Sequence, residues 1–95
     1  MRVFWREVRR GQRLVLTLDE GDQEEEVGGV RETRDGFDAF AKTFGYEPGR
    51  AQKGIATLEE AKDFVKSFSP WALYEGGEGL EVEPEVLPRL DKTAT

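Results

Sequence analysis

Between Arg2 and Asp19 the hydrophobic positions alternate. Leu14, Leu16 and Leu18 interleave with Val15, Thr17 and Asp19, the two-residue period of a half-buried strand. Upstream, RVFWREV is rich in β-branched and aromatic residues, which suit a pleated surface. With Gly11 inside the intervening RRGQR, residues 2–9 and 13–19 are predicted to form a β-hairpin. A one-residue change of register would exchange the faces of Phe4 and Trp5, and Trp5 is the residue expected inside. The stretch EEVGGVRET then reads as the body of a third strand, set at 26–34. Val27 and Val30 have opposite parity, so the Gly28–Gly29 pair between them marks a bulge or bend.

At residue 57 the period changes. Leu58, Ala61, Phe64, Val65 and Phe68 fall at i, i+3, i+6, i+7 and i+10, a continuous apolar stripe that predicts a helix over 57–68. Thr57 is its N-cap, with Glu60 placed as in a capping box. Glu59 and Glu60 in the first turn and Lys66 near the end suit the helix dipole. Ser69–Pro70 stops the helix. Beyond it, WALYE and LEVE are read as strands near 71–75 and 80–83 joined across GGEG, with Pro84 and Pro88 punctuating a short extension.

The segment DGFDAFAKTFG, 35–45, fits two templates. Asp35–Gly36 is a favoured hairpin turn that would join strand 27–34 to strand 37–44. Phe37, Phe40, Ala41 and Phe44 also match a short amphipathic helix over 36–44, with Asp35 as cap and Gly45 as stop. As a strand, the segment places Phe40 and Phe44 opposite Phe37, Ala39 and Ala41 and so needs cover on both faces. For that reason the helix is preferred. The expected fold is α+β: a small antiparallel sheet packed against helix 57–68 and a short helix 36–44. It forms a single domain over 1–90, and DKTAT at 91–95 is a loose tail.

Composition narrows the functional classes. Ninety-five residues make one domain, with no room for a second core. The chain carries 14 Lys and Arg against 20 Asp and Glu, a formal charge of −6. Such a balance argues against a dedicated phosphate-backbone binder. The charge is unevenly spread. Arg2, Arg6, Arg9, Arg10 and Arg13 crowd the N-terminus, DEGDQEEE follows at 19–26, and Glu75, Glu78, Glu81, Glu83 and Glu85 come later. Mutual neutralisation across the sheet is the expected use of these blocks.

Cysteine and histidine are absent, which removes disulfides, thiolate metal sites, nucleophilic triads and histidine acid–base pairs. Few thermolabile residues with abundant Glu and Arg resemble thermophile usage. The charged start MRVFWREV and the lack of a long apolar run point to a cytoplasmic protein that does not enter membranes.

The residues Gly29–Val30–Arg31, Gly36, Ala39, Gly54 and Thr57–Ala61, read as GVR…G…A…G…TLEEA, resemble the plant ethylene-response DNA-binding domain. That resemblance implies three strands followed by a helix, with arginines and tryptophans of the sheet on DNA. Arg31 lands on a matching position. Thr33 stands where the family has a further arginine, and the strand tryptophan falls near Phe37 or Asp38, so the activity is not carried over.

Other motifs have ordinary readings. Glu59 and Asp63 sit on the helix's solvent side, Asp19–Glu20–Gly21–Asp22 lacks the spacing of a calcium loop, and the glycines of EGGEG lack the lysine and helix of a phosphate cradle. Phe64, Phe68, Trp71 and Tyr74 read as core before they read as a ligand pocket. No cofactor or metal is expected. The leading expectation is a non-enzymatic domain acting through protein contacts, as a homodimer or with another protein, through a free sheet edge or through Val86, Leu87 and Leu90. The alternative is nucleic-acid binding by Arg2, Arg6, Arg9, Arg31 and Arg34. An enzyme or small-ligand binder without a recognisable site comes third.

Overall fold

The computed structural model describes residues 1–18, 23–43 and 46–89. Five strands follow one another as β1 (Arg2–Val8), β2 (Gly11–Leu18), β3 (Gln23–Thr33), β4 (Gly36–Thr43) and β5 (Tyr46–Ile55), paired antiparallel in chain order. The helix α1 (Leu58–Lys66) and a 3-10 turn at Pro70–Leu73 come next. This is an α+β arrangement, one antiparallel sheet carrying one helix. An N-terminal hairpin and a third strand are present, with β2 starting at Gly11 and not 13, and β3 covering Gln23–Thr33 and not 26–34. The acidic run 23–26 is therefore strand, paired with Val15–Leu18. The block 19–22, the C-terminal tail and Leu90 lie outside the described residues.

The helix begins where its cap dictates. The Thr57 hydroxyl accepts the Glu60 N–H at 3.1 Å, the N-cap bond of a capping box, and donates to the Glu60 carboxylate at 3.0 Å. Ala61 and Val65 are fully buried against the sheet, whereas Phe68 is exposed. The close seat has a sequence basis. Gly28 and Ala41 are cross-strand partners beneath α1, and Ala39 lies beside them. A Cβ built on Gly28 would come within 2.5 Å of the Val65 side chain. Around this seam of small residues Val3, Trp5, Leu14, Leu16, Val27 and Val30 complete the core. The bulge lies at Val27, where the register slips between Leu14–Gly28 and Val15–Glu26. Trp5 is inside, as expected. Phe4 is equally buried, on the opposite face.

Three expectations are corrected. Residues 36–43 are a strand and not a short helix; Phe44 and Gly45 lie outside the described residues. Thr33 pairs with Gly36 around the two-residue tip Arg34–Asp35, and Gly36 has φ +132°, a conformation open to glycine. The strand's need for cover is met because Ala39 and Ala41 lie in the core under α1, while Phe40 on the other face is only half-buried. Residues 71–75 form no strand: Pro70–Leu73 is a 3-10 turn that buries Pro70 and Trp71. Residues 80–83 form no hairpin strand either. The segment from Val82 to Leu87 runs parallel to β1, with bridges Val3–Val82 and Arg6–Leu87. The Glu83 N–H donates to the Val3 carbonyl at 2.9 Å and the Leu87 N–H to the Trp5 carbonyl at 2.8 Å. The chain thus covers its own β1 edge, and Val86 and Leu87 pack back on the sheet. Among the described residues no strand pairs with the outer edge of β5.

Candidate binding face of the sheet

α1 covers one face of the sheet, and the other is open. Its centre is a cross-strand row formed by Arg13, Gly29, Phe40 and Ala51, which are register partners on β2 to β5. Gly11, Arg31 and Asp38 form the next row. Gly29 and Ala51 contribute almost no side chain, so the Phe40 ring stands between two low positions. The result is a trough of about 680 Å³. Its walls carry Arg9, Arg10, Arg13, Arg31 and Lys53, with Glu26 and Asp38 as the carboxylates among the described residues.

Why cations gather here in an acidic chain follows from the pairing of the acidic strand. Glu24 takes Arg6 at 2.6 Å, Glu26 lies 3.6 Å from Arg13, and Glu25 lies 3.9 Å from Lys42. The run 23–26 is thus used on its own sheet, which is the expected cross-sheet neutralisation. Asp38 accepts the Gly54 N–H at 3.2 Å and so ties β4 to β5. Arg31 faces it across the strand pair without closing an ion pair. Among the described residues Arg9, Arg10, Arg31 and Lys53 have no carboxylate within 4 Å.

The arginines expected to contact nucleic acid are divided by the structure. Arg9 and Arg31 line the trough. Arg34 is exposed on the β3–β4 turn, away from it. Arg2 and Arg6 are engaged elsewhere. Their guanidiniums lie 5.0 Å and 5.2 Å from the centre of the Phe4 ring. Each is held by two hydrogen bonds to a carboxylate, Arg2 to Glu83 and Arg6 to Glu24. Arg10, Arg13, Lys53 and Phe40 join the site without having been anticipated there. The Arg10 and Arg13 signal lay in the basic N-terminal run. Phe40 was obscured by the helical template.

The two clamps carry a pH signature. Hydrogen bonds from Arg6 and Arg2 hold the Glu24 and Glu83 carboxyls below their ordinary range, against a smaller opposing effect of desolvation. A carboxyl depressed in the folded state stabilises above its unfolded pKa of about 4.3, and that stability is lost as pH falls through the folded value. Both pairs are solvent-screened, so the effect is modest. The double variant Glu24→Gln, Glu83→Gln should lose less stability than the parent between about pH 6 and pH 3 in urea titrations. Parallel losses would show that the clamps do not couple to folding.

Elsewhere the chemistry is sparse. Glu59 and Asp63 are exposed on α1, and Asp63 is 3.6 Å from Lys66. Among the described residues no group of three acidic side chains converges as a metal site would require. Trp71 is buried and Tyr74 packs against the core. Phe64 meets Phe68 edge-to-face at 5.0 Å. None of the described helices is long and apolar enough to cross a membrane. Compared with protein-family models, curated proteins and solved structures, the chain matches none.

Proposed function

We propose that this chain is a binding domain that holds single-stranded nucleic acid across its open sheet face. The observation that carries this reading is the trough itself, with unpaired cations surrounding a half-exposed Phe40 that low neighbours leave accessible. A phosphate chain suits the cations. An unpaired base suits the ring, because stacking needs a base that is not already stacked in a duplex. The trough is proposed for binding and not for catalysis, since Glu26 and Asp38 are already engaged by Arg13 and the Gly54 amide.

The test is fluorescence anisotropy with a labelled oligothymidylate over a range of salt. Binding should weaken steeply with salt. The double variant Arg31→Ala, Lys53→Ala should flatten the slope of log K against log salt by about 1.4, two contacts at roughly 0.7 each. Phe40→Ala should weaken binding about tenfold or more, the loss of one stacked base. Arg34→Ala, outside the trough, should change little. Failure of the parent to bind in low salt, or an equal effect of Arg34→Ala, overturns the proposal.

Protein contact is the second reading, favoured by one observation. The β1 edge is covered by residues 82–87, but β5 presents its outer edge to a strand from a second copy or another protein. Sedimentation showing a dimer that Ala51→Pro abolishes would support it; a monomer at all concentrations would dismiss the homodimer.

A further inference from the structure

The trough shares a wall with a second depression. Val8, Arg9, Arg10 and Gln12, at the tip of the β1–β2 hairpin, line both. The second hollow measures about 540 Å³ and continues past the tip to Phe37, Leu58 and Arg89, with Glu7 and Glu32 on its rim. The tip between them is firmly placed. Arg10 adopts φ +66°, a left-handed conformation that costs an L-residue strain and glycine none. Its carbonyl accepts the Glu32 N–H at 2.7 Å, a bond that anchors the turn to β3. Arg9 and Arg10 are exposed on this fixed turn, and neither has an ion-pair partner among the described residues.

We propose that the bound strand does not end in the trough but passes over the hairpin tip into the second hollow, with Arg9–Arg10 as the post around which it bends. This inference rests on the single-strand reading above and extends it to the length of the ligand. The trough would hold the most heavily compensated phosphates. Beyond the shared Arg9 and Arg10, the second hollow adds one cation, Arg89, beside the partly buried Phe37 and Leu58. With Glu7 and Glu32 on its rim it suits a base better than a phosphate. The strained backbone at Arg10 then has a use: it aims a guanidinium at the crossing point.

An oligothymidylate length series tests this by anisotropy in low salt. Affinity should rise from about 4 nucleotides, enough for the trough, to about 8, within the span of known single-strand sites. Arg89→Ala should remove the gain at the longer lengths and leave the shortest oligomer unaffected. Arg10→Gly relieves the backbone and removes the charge together. Its melting temperature should stay level or rise while affinity for the longer oligomers falls by roughly fivefold. Arg10→Ala should lose affinity equally but gain no stability. Affinity independent of length beyond 4 nucleotides, or Arg10→Gly binding as the parent does, overturns the crossing while the trough reading stands. No binding at any length overturns both. Preference for a polyglutamate peptide over the oligonucleotide overturns the assignment of the ligand in favour of an acidic protein segment.

Discussion

Replacing Phe4 with alanine is expected to remove about 3–5 kcal/mol of stability, the range for emptying a buried aromatic site. A chain of this length has roughly 5–14 kcal/mol in all, so the loss takes between about a fifth and the whole of it. The size of the effect is unusual for a residue on the sheet's open face. Phe4 is only 1% exposed although no helix lies over it. Its cover includes Arg2 and Arg6, whose guanidiniums lie over the ring and are fixed by Glu83 and Glu24. Val15, its cross-strand partner, and Thr17 are buried in the same patch. The Thr17 hydroxyl accepts the Arg2 N–H at 3.0 Å and closes its margin. Phe4→Leu separates the two contributions, since it keeps most of the apolar volume and loses the ring under the guanidiniums. It should cost less than about 2 kcal/mol, repacking plus the lost cation–π contact. Urea midpoints measure both. A loss below about 1 kcal/mol for Phe4→Ala would mean that the arginine cover is open in solution.

The second large effect concerns the seat of the helix. Gly28→Val should destabilise by about 3 kcal/mol, at or above the upper end of what overpacking costs. Its Cβ would lie 2.5 Å from the Val65 side chain and 2.9 Å from the Phe40 carbonyl, so the helix and the neighbouring strand must both yield. The interpretation is checked by a cycle. In a Val65→Ala background the side-chain obstruction is gone, and Gly28→Ala should then cost at least about 1 kcal/mol less than in the parent. Strict additivity would place the strain in the strand backbone and not in the helix contact.

How much of this could be read from the sequence depends on how far away each residue's partner lies. The helix and its cap were legible because Thr57, Glu60 and the apolar stripe interact within a few residues of one another. The N-terminal hairpin was legible for the same reason. β4 was misread because Phe37, Phe40 and Ala41 satisfy a helical period and a two-sided strand alike. Only the presence of α1 over Ala39 and Ala41 decides between them. β5 escaped notice altogether. Its YEPGRAQKGI is polar and interrupted by Pro48, Gly49 and Gly54, as suits an edge strand with one partner and little to bury. The C-terminal segment was assigned a local hairpin, but its partner is β1, about 80 residues earlier, a pairing that no local pattern encodes.

The candidate site divides along the same line. Arg9 could be named because a basic cluster is visible near the N-terminus, and Arg31 because it lands on a position of the ethylene-response resemblance. Their separation from Arg2 and Arg6 could not, since it depends on which arginines meet Glu24 and Glu83. Lys53 became part of the site only when β5 was placed beside β4. Phe40 stands clear of its neighbours only because Gly29 and Ala51 are its register partners. The overall acidity hides a local imbalance, because Glu24, Glu25 and Glu26 lie against Arg6, Lys42 and Arg13 and leave cations over on the open face.

The cover that residues 82–87 provide for β1 has a temporal consequence. The five-stranded meander is assembled from contacts between neighbours in the chain, which close small loops and form early. The covering segment must return across the whole molecule, and during synthesis it leaves the ribosome after every strand has emerged. Until then β1 presents an unpaired edge holding Val3, Trp5 and their backbone carbonyls. The nascent chain therefore passes through a stage with two open sheet edges. It is during that interval, before the last turn of the chain is in place, that this small domain is most exposed to misassociation.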